Sequence, residues 1–167
     1  YPIGGHDNQK YDIRSLLLDG DHLWIGTYAK GIRVVNLRTG AVKVYTHSRG
    51  IPYTICSNDV LCFYRGRNGE IYVGTSWGLC RYDAAKDNFM PIINIGSMIS
   101  ITDMHEDMYN HLWIATSSSG VFTYNTINGH YKNYQHERED STTITSNSII
   151  TLFEDVKGTM WFGTNGG

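Results

Sequence analysis

The chain has little of what marks a helical, membrane-spanning or disulfide-stapled protein. Only 3 of its 167 residues are proline and only 3 are cysteine. Cys56, Cys62 and Cys80 cannot all pair with one another, and no Cys-x-x-Cys occurs. Buried free thiols are expected, and the cysteines do not set the compartment. No apolar run approaches the roughly 20 residues that a bilayer span needs, so no direct membrane contact is expected of this segment. Nothing at the N-terminus has the layout of a signal peptide. The chain starts at Tyr1 rather than Met, which reads as a piece of something longer. A net charge of -2, from 14 basic and 16 acidic residues, is too little positive charge for a general nucleic-acid surface. No stretch sustains a 3.6-residue apolar period, so essentially no helix is expected. In place of these features stand 18 glycines, 12 tyrosines and 4 tryptophans, a composition of tight turns and β-structure.

An internal repeat organises the chain. Four segments align: Leu23-Trp24-Ile25-Gly26-Thr27, Ile71-Tyr72-Val73-Gly74-Thr75, Leu112-Trp113-Ile114-Ala115-Thr116 and Met160-Trp161-Phe162-Gly163-Thr164. Their aromatic positions are spaced by 48, 41 and 48 residues. An alternating run precedes each: Ile13 to Leu18, Val60 to Tyr64, Ile101 to His105 and Ile149 to Phe153. Short turns join each pair of runs as a hairpin, with Gly69 and Gly158, or Asn110, three residues before the aromatic. The first turn, Asp19-Gly20-Asp21, is one residue shorter. Third and fourth runs follow in the first three units, separated by turns centred on Gly40, Lys86-Asp87 and Gly129.

Each unit therefore reads as a four-stranded antiparallel meander. One small sheet cannot bury both faces, and radial stacking of such sheets is the propeller solution. The spacing predicts an all-β, incomplete β-propeller of about three and a half blades. The expected divisions are a tail of a preceding blade at 1–5, blades at 11–47, 58–93 and 99–136, and the first half of a further blade at 147–167. Trp24, Tyr72, Trp113 and Trp161 are expected to wedge between sheets, each indole N–H with a partner. Truncating a fully buried Trp113 would cost on the order of 3–5 kcal/mol. Gly26, Gly74 and Gly163 are expected to admit a neighbouring blade closely, with Ala115 showing that a methyl group fits in the third unit. Other blades, or another copy of the chain, are the expected partners of the exposed blade faces.

The segment Ser141 to Gly167, with Ser146-Asn147, Glu154-Asp155, Gly158 and Trp161-Phe162-Gly163-Thr164-Asn165-Gly166-Gly167, resembles the two-component regulator propeller repeat. Ser57-Asn58-Asp59 and Glu106-Asp107 recur at equivalent points. Tyr72, Ala115 and the short first turn depart from the pattern. The resemblance implies the periplasmic sensor region of a hybrid two-component regulator. In such proteins propellers of about seven blades precede a β-sandwich, a membrane helix, a histidine kinase and receiver modules, and many respond to oligosaccharides. It implies a phosphorelay kinase as parent chain and no catalysis in this segment.

In propellers the loops entering the inner strand and the turns joining strands two and three share one face. Thr46 to Ser57, Asn94 to Ser97 and Gln135 to Ser146 are the longest and most varied such loops. Tyr28, Lys30, His47, Trp77 and Ser118 are the candidate contacts for a small-molecule ligand, an oligosaccharide in particular, since aromatic rings stack on sugar faces and Lys or His meets polar groups. The bland alternative for each is loop decoration. His136-Glu137-Arg138-Glu139-Asp140 reads as a solvated charge cluster. No DxDxDG loop, HxH or HExxH occurs, so no metal is expected. No Walker, Rossmann or GxSxG motif occurs, so no cofactor and no nucleophile elbow are expected. Asp107 and Asp155 read as turn-stabilising acids. The Gly158-Thr159-Met160-Trp161-Phe162 stretch also resembles streptogramin lyase repeats, which leaves a propeller enzyme as one alternative and a protein-interaction propeller as another.

Overall fold

The computed structural model describes residues 10–92 and 98–165. The expected tail at 1–5, the loop Asn94 to Ser97 and the final Gly166-Gly167 lie outside these. Fourteen strands are described, and no helix occurs among the described residues. Three meanders and one hairpin account for all of them. The first sheet holds β1 (Ile13–Asp19), β2 (His22–Thr27), β3 (Ile32–Asn36) and β4 (Val42–Tyr45). The second holds β5 (Val60–Arg65), β6 (Ile71–Thr75), β7 (Gly78–Asp83) and β8 (Asn88–Pro91). The third holds β9 (Ile101–Glu106), β10 (His111–Thr116), β11 (Val121–Asn125) and β12 (Tyr131–Tyr134). The hairpin pairs β13 (Ile149–Glu154) with β14 (Met160–Thr164).

The turns follow from local chemistry. Gly69, Asn110 and Gly158 all have positive φ, at 82°, 63° and 79°, the conformation these residue types accept at least cost. Each inner strand carries a bulge near its start, for example between Ile13 and Ser15 and between Val60 and Cys62. A bulge adds local twist, and the first strands of successive sheets, β1, β5, β9 and β13, pack side by side as the inner rim of an arc.

The core lies between sheets. Trp24, Ile32 and Val34 of the first blade pack with Val60, Ile71, Val73, Cys80 and Phe89 of the second. Tyr72 and Leu79 pack with Ile101, Met104, Leu112 and Phe122 of the third. Ala115 and Val121 meet Ile149 and Leu152 of the hairpin. Close approach requires glycine here. A Cβ on Gly26 would lie 2.7 Å from Val60 Cγ1, and one on Gly74 would lie 2.5 Å from Cys62 Sγ and 2.8 Å from Ile101 Cγ2. A Cβ on Gly163 instead meets Thr151 of its own sheet.

The two ends of the arc differ from its middle. Ile13 and Leu16 in β1 are 40% and 59% exposed, whereas Val60, Ile101 and Ile149, the counterparts of Ile13, are fully buried against the preceding sheet. At the other end Phe153 and Trp161 are exposed. The repeated aromatic is therefore not a wedge in every blade: Trp24 and Tyr72 are buried, Trp113 is half-buried and Trp161 is exposed. The expectation of a fully buried Trp113 is corrected accordingly. The thiols are free; Cys80 is buried and Cys56 and Cys62 are half-buried. Burial pushes the Cys62 thiol up to about 12.

Candidate functional site

The two faces of the arc are built by different devices. On one face the inter-blade loops are locked to the preceding blade by Ser-Asn pairs. Asn58 Oδ1 accepts the His47 N–H at 2.6 Å, and the Asn58 carbonyl accepts the Gly31 N–H at 2.8 Å. Asn147 repeats both bonds with His136 at 2.7 Å and Gly120 at 2.9 Å. Ser57 and Ser146 each accept the N–H two residues on, at 3.1 Å. These are side-chain turns, in which Ser and Asn oxygens take backbone N–H groups that no strand ladder serves. They hold blade one to blade two, and blade three to the hairpin.

The candidate ligand contacts stand on this face. Tyr28 and Lys30 lie in the β2–β3 turn, Trp77 in the β6–β7 turn and Ser118 in the β10–β11 turn, one structural position repeated blade after blade. Trp77 is 58% exposed, its ring available for stacking. Arg14 lies over the Tyr28 ring at 5.1 Å, and Lys30 donates to the Lys10 carbonyl at 3.2 Å and sits over Tyr11. His47 is held differently. Its Nδ1 is 2.7 Å from the Ile55 carbonyl, so that nitrogen carries a proton and donates. His136 makes the same contact with Ile144 at 2.9 Å. The His47 ring thus braces its own loop, with Nε2 as the nitrogen left for any other contact.

The opposite face carries the hairpin turns. Asp107 Oδ1 accepts the N–H groups of Tyr109 and His111 at 2.8 and 3.0 Å, while Oδ2 accepts the Trp113 indole N–H at 2.8 Å. Asp155 repeats the clamp on Lys157, Thr159 and Trp161, the last at 3.0 Å. The Trp161 bond comes first among the influences that hold the Asp155 carboxyl below its ordinary range. Burial pushes Asp107 up, but bonds from Trp113 and the backbone outweigh it and hold that carboxyl low as well. In the second blade Gly66 stands where the Asp would be and Tyr72 replaces Trp. The phenol donates instead to Glu70 at 2.9 Å. Trp24 departs from the expected pattern, because its buried indole N–H has no hydrogen-bond partner among the described residues.

Beside Trp24 lies a group that sequence reasoning missed. Tyr45 and Tyr82 both donate to Asp87 Oδ1, at 2.5 and 2.7 Å, and Lys43 pairs with Asp87 across the blade boundary. The Lys43 and Tyr45 bonds hold the Asp87 carboxyl down to about 2, while burial and Asp87 push Tyr45 up to about 12. The shortened turn at Asp19-Gly20-Asp21 was the available signal that this corner differs.

The fold and these clamps define a β-propeller built from a recurring Asp–Trp and Ser-Asn repeat. Two segments, 54–77 and 143–166, match the family described as two component regulator propeller. It is 35% identical over 75 residues to histidine kinase P4 of Formosa agariphila, a match covering 45% of this chain and 5% of that protein. The extracellular domain of BT3049, described as a hybrid two-component system protein of B. thetaiotaomicron, superposes with a TM-score of 0.73 at 27% identity. That match covers 87% of this chain and 18% of the other. Virginiamycin B lyase from Staphylococcus aureus matches at a TM-score of 0.66 and 16% identity, over 95% of this chain and 50% of the lyase, a likeness of fold alone. The chain spans 5% of that kinase and 18% of the BT3049 domain, and it resembles the sensor propellers of hybrid two-component systems.

Proposed function

We propose that this chain is part of the periplasmic sensor propeller of a hybrid two-component regulator whose kinase lies elsewhere in the parent protein. The observation that carries this reading is the coincidence of the two matched segments with the Ser-Asn locks that join blades and, in the second, the Asp155–Trp161 clamp that closes its hairpin. The ligand of the receptor is an oligosaccharide, met on the loop face by Trp77, Tyr28, Lys30, His47 and Ser118. Aromatic rings take the apolar faces of sugars and the polar side chains take hydroxyls. Signalling follows from unequal affinity for two arrangements of the receptor, since a ligand that binds both equally shifts nothing. The exposed faces at Ile13 and Leu16 and at Phe153 and Trp161 take further blades of the same kind or a second copy, because each interior blade face of this repeat is covered by another.

Calorimetry of the complete extracellular region against a glycan panel tests the reading. Saturable heat with one glycan class, lost in Trp77→Ala, is the expected result. A folded region that binds none of the panel overturns direct sensing of sugars.

A further inference from the structure

Trp24 holds the pose of its clamped counterpart without the clamp. Its ring stacks on Tyr45 with centroids 6.1 Å apart and planes 5° from parallel. Trp113 stacks on Tyr134 at 5.9 Å and 15°. Six residues before Trp113 and Trp161 stand Asp107 and Asp155, whose carboxylates take the indole protons. Six residues before Trp24 stands Leu18, because the turn is one residue shorter; its acid, Asp19, stands five before and pairs with Arg65 instead. Trp24 is 4% exposed and its N–H is unpartnered among the described residues. Buried donors without acceptors are rare in native folds and ask for an explanation.

At this corner lies a cleft of about 470 Å³, lined beside Trp24 by Asp19, His22, Asn36, Lys43, Tyr45 and Tyr82. That is the size of a small-ligand site. Its acids are already matched: Asp19 pairs with Arg65 at 3.2 Å, and Asp87 beside Tyr82 pairs with Lys43. An entering anion therefore meets donors and aromatic walls rather than bare negative charge. His22 and Asn36 approach each other at 3.3 Å and add polar groups to the wall.

We propose that this cleft binds a small carboxylate ligand whose carboxylate accepts the Trp24 indole proton, in the role Asp107 plays within the third blade. Tyr45 and Tyr82 flank the carbon skeleton, and Lys43, by pairing with Asp87, keeps the rim from repelling the charge. The site is on the face opposite the candidate sugar contacts and does not depend on the sensor reading. A simple organic acid and a sugar acid share this chemistry.

The test follows the Trp24 indole N–H resonance of the ¹⁵N-labelled chain, assigned by its loss in Trp24→Phe. Sodium acetate and sodium galacturonate are titrated against sodium chloride at matched ionic strength. A saturable shift of Trp24, absent from Trp113 and Trp161 and absent in chloride, is expected. Saturation by both acids assigns the site to the carboxylate alone; saturation by galacturonate alone assigns it to a sugar acid. Replacing Asp19-Gly20-Asp21 with the third blade's Asp-Met-Tyr-Asn turn puts the leading acid six residues before the tryptophan, as in the clamp, and weakens binding at least tenfold. No saturable shift with either acid, or an unchanged response in that variant, overturns the proposal. If the turn replacement does not fold, Lys43→Gln weakens the shift at least threefold, and unchanged binding there overturns it equally.

Discussion

The first and third blades present the same aromatic stack on the same strand pair, yet they satisfy it by opposite means. In the third, Trp113 is half-buried and its N–H is capped by Asp107, which also closes the turn. In the first, Trp24 is buried among Tyr45, Tyr82 and Phe63, and its N–H has no acceptor among the described residues. One blade invests in a hydrogen-bonded turn and the other in aromatic burial. A repeat can therefore keep its shape while changing which force holds a given corner, because apolar area and a satisfied donor are each worth a few kcal/mol at most.

The largest test of this contrast is Trp24→Ala, expected to cost about 3–5 kcal/mol in chemical denaturation, with Trp113→Ala costing less because its ring is half exposed. Equal losses would break the comparison. Next is the close approach of blades. Gly74→Ala should cost about 1–3 kcal/mol, since the new methyl meets Cys62 and Ile101. Ala115→Gly in the third blade should cost only about 0.5–1 kcal/mol, read from the shift in denaturation midpoint. Asp107→Ala should cost on the order of 1–2 kcal/mol by orphaning the Trp113 donor and two turn amides. A Leu18→Ala change in the first blade, at the position six before Trp24, should be close to neutral by the same measurement, because Leu18 is exposed.

The smallest effect is electrostatic. The Asp87 carboxyl, held to about 2, is lower than its unfolded value near about 4. Its contribution is complete above about pH 4 and is lost as the pH falls through about 2. Asp87→Asn should remove that part of the acid dependence of the thermal midpoint. The change is modest, because Asp87 and Lys43 are both about half exposed and solvent screens the pair.

The meander and its turns were legible because they rest on local rules. Alternation marked β1, β5, β9 and β13, and Gly69, Asn110 and Gly158 marked left-handed turns that are present. The clamps of Asp107 and Asp155 were legible as turn acids, though their bond to the indole was not. His47 was read as a candidate contact, while its bond to Ile55 depends on how an eight-residue separation folds back, which strand alternation and turn chemistry do not report. The Lys43–Asp87 pair, with its two tyrosines, joins residues 44 apart in sequence and was invisible for the same reason.

By itself the sequence determined the four-stranded unit, its repetition and the positions that must be small, since strand alternation, turn chemistry and the 41- to 48-residue spacing act over short range. Tertiary structure alone decided which repeats are satisfied and which faces are covered. Burial and hydrogen-bond partnership are properties of what lies across an interface, so Trp24, Trp113 and Trp161, alike in the chain, end as a buried unpaired, a half-buried clamped and an exposed clamped indole.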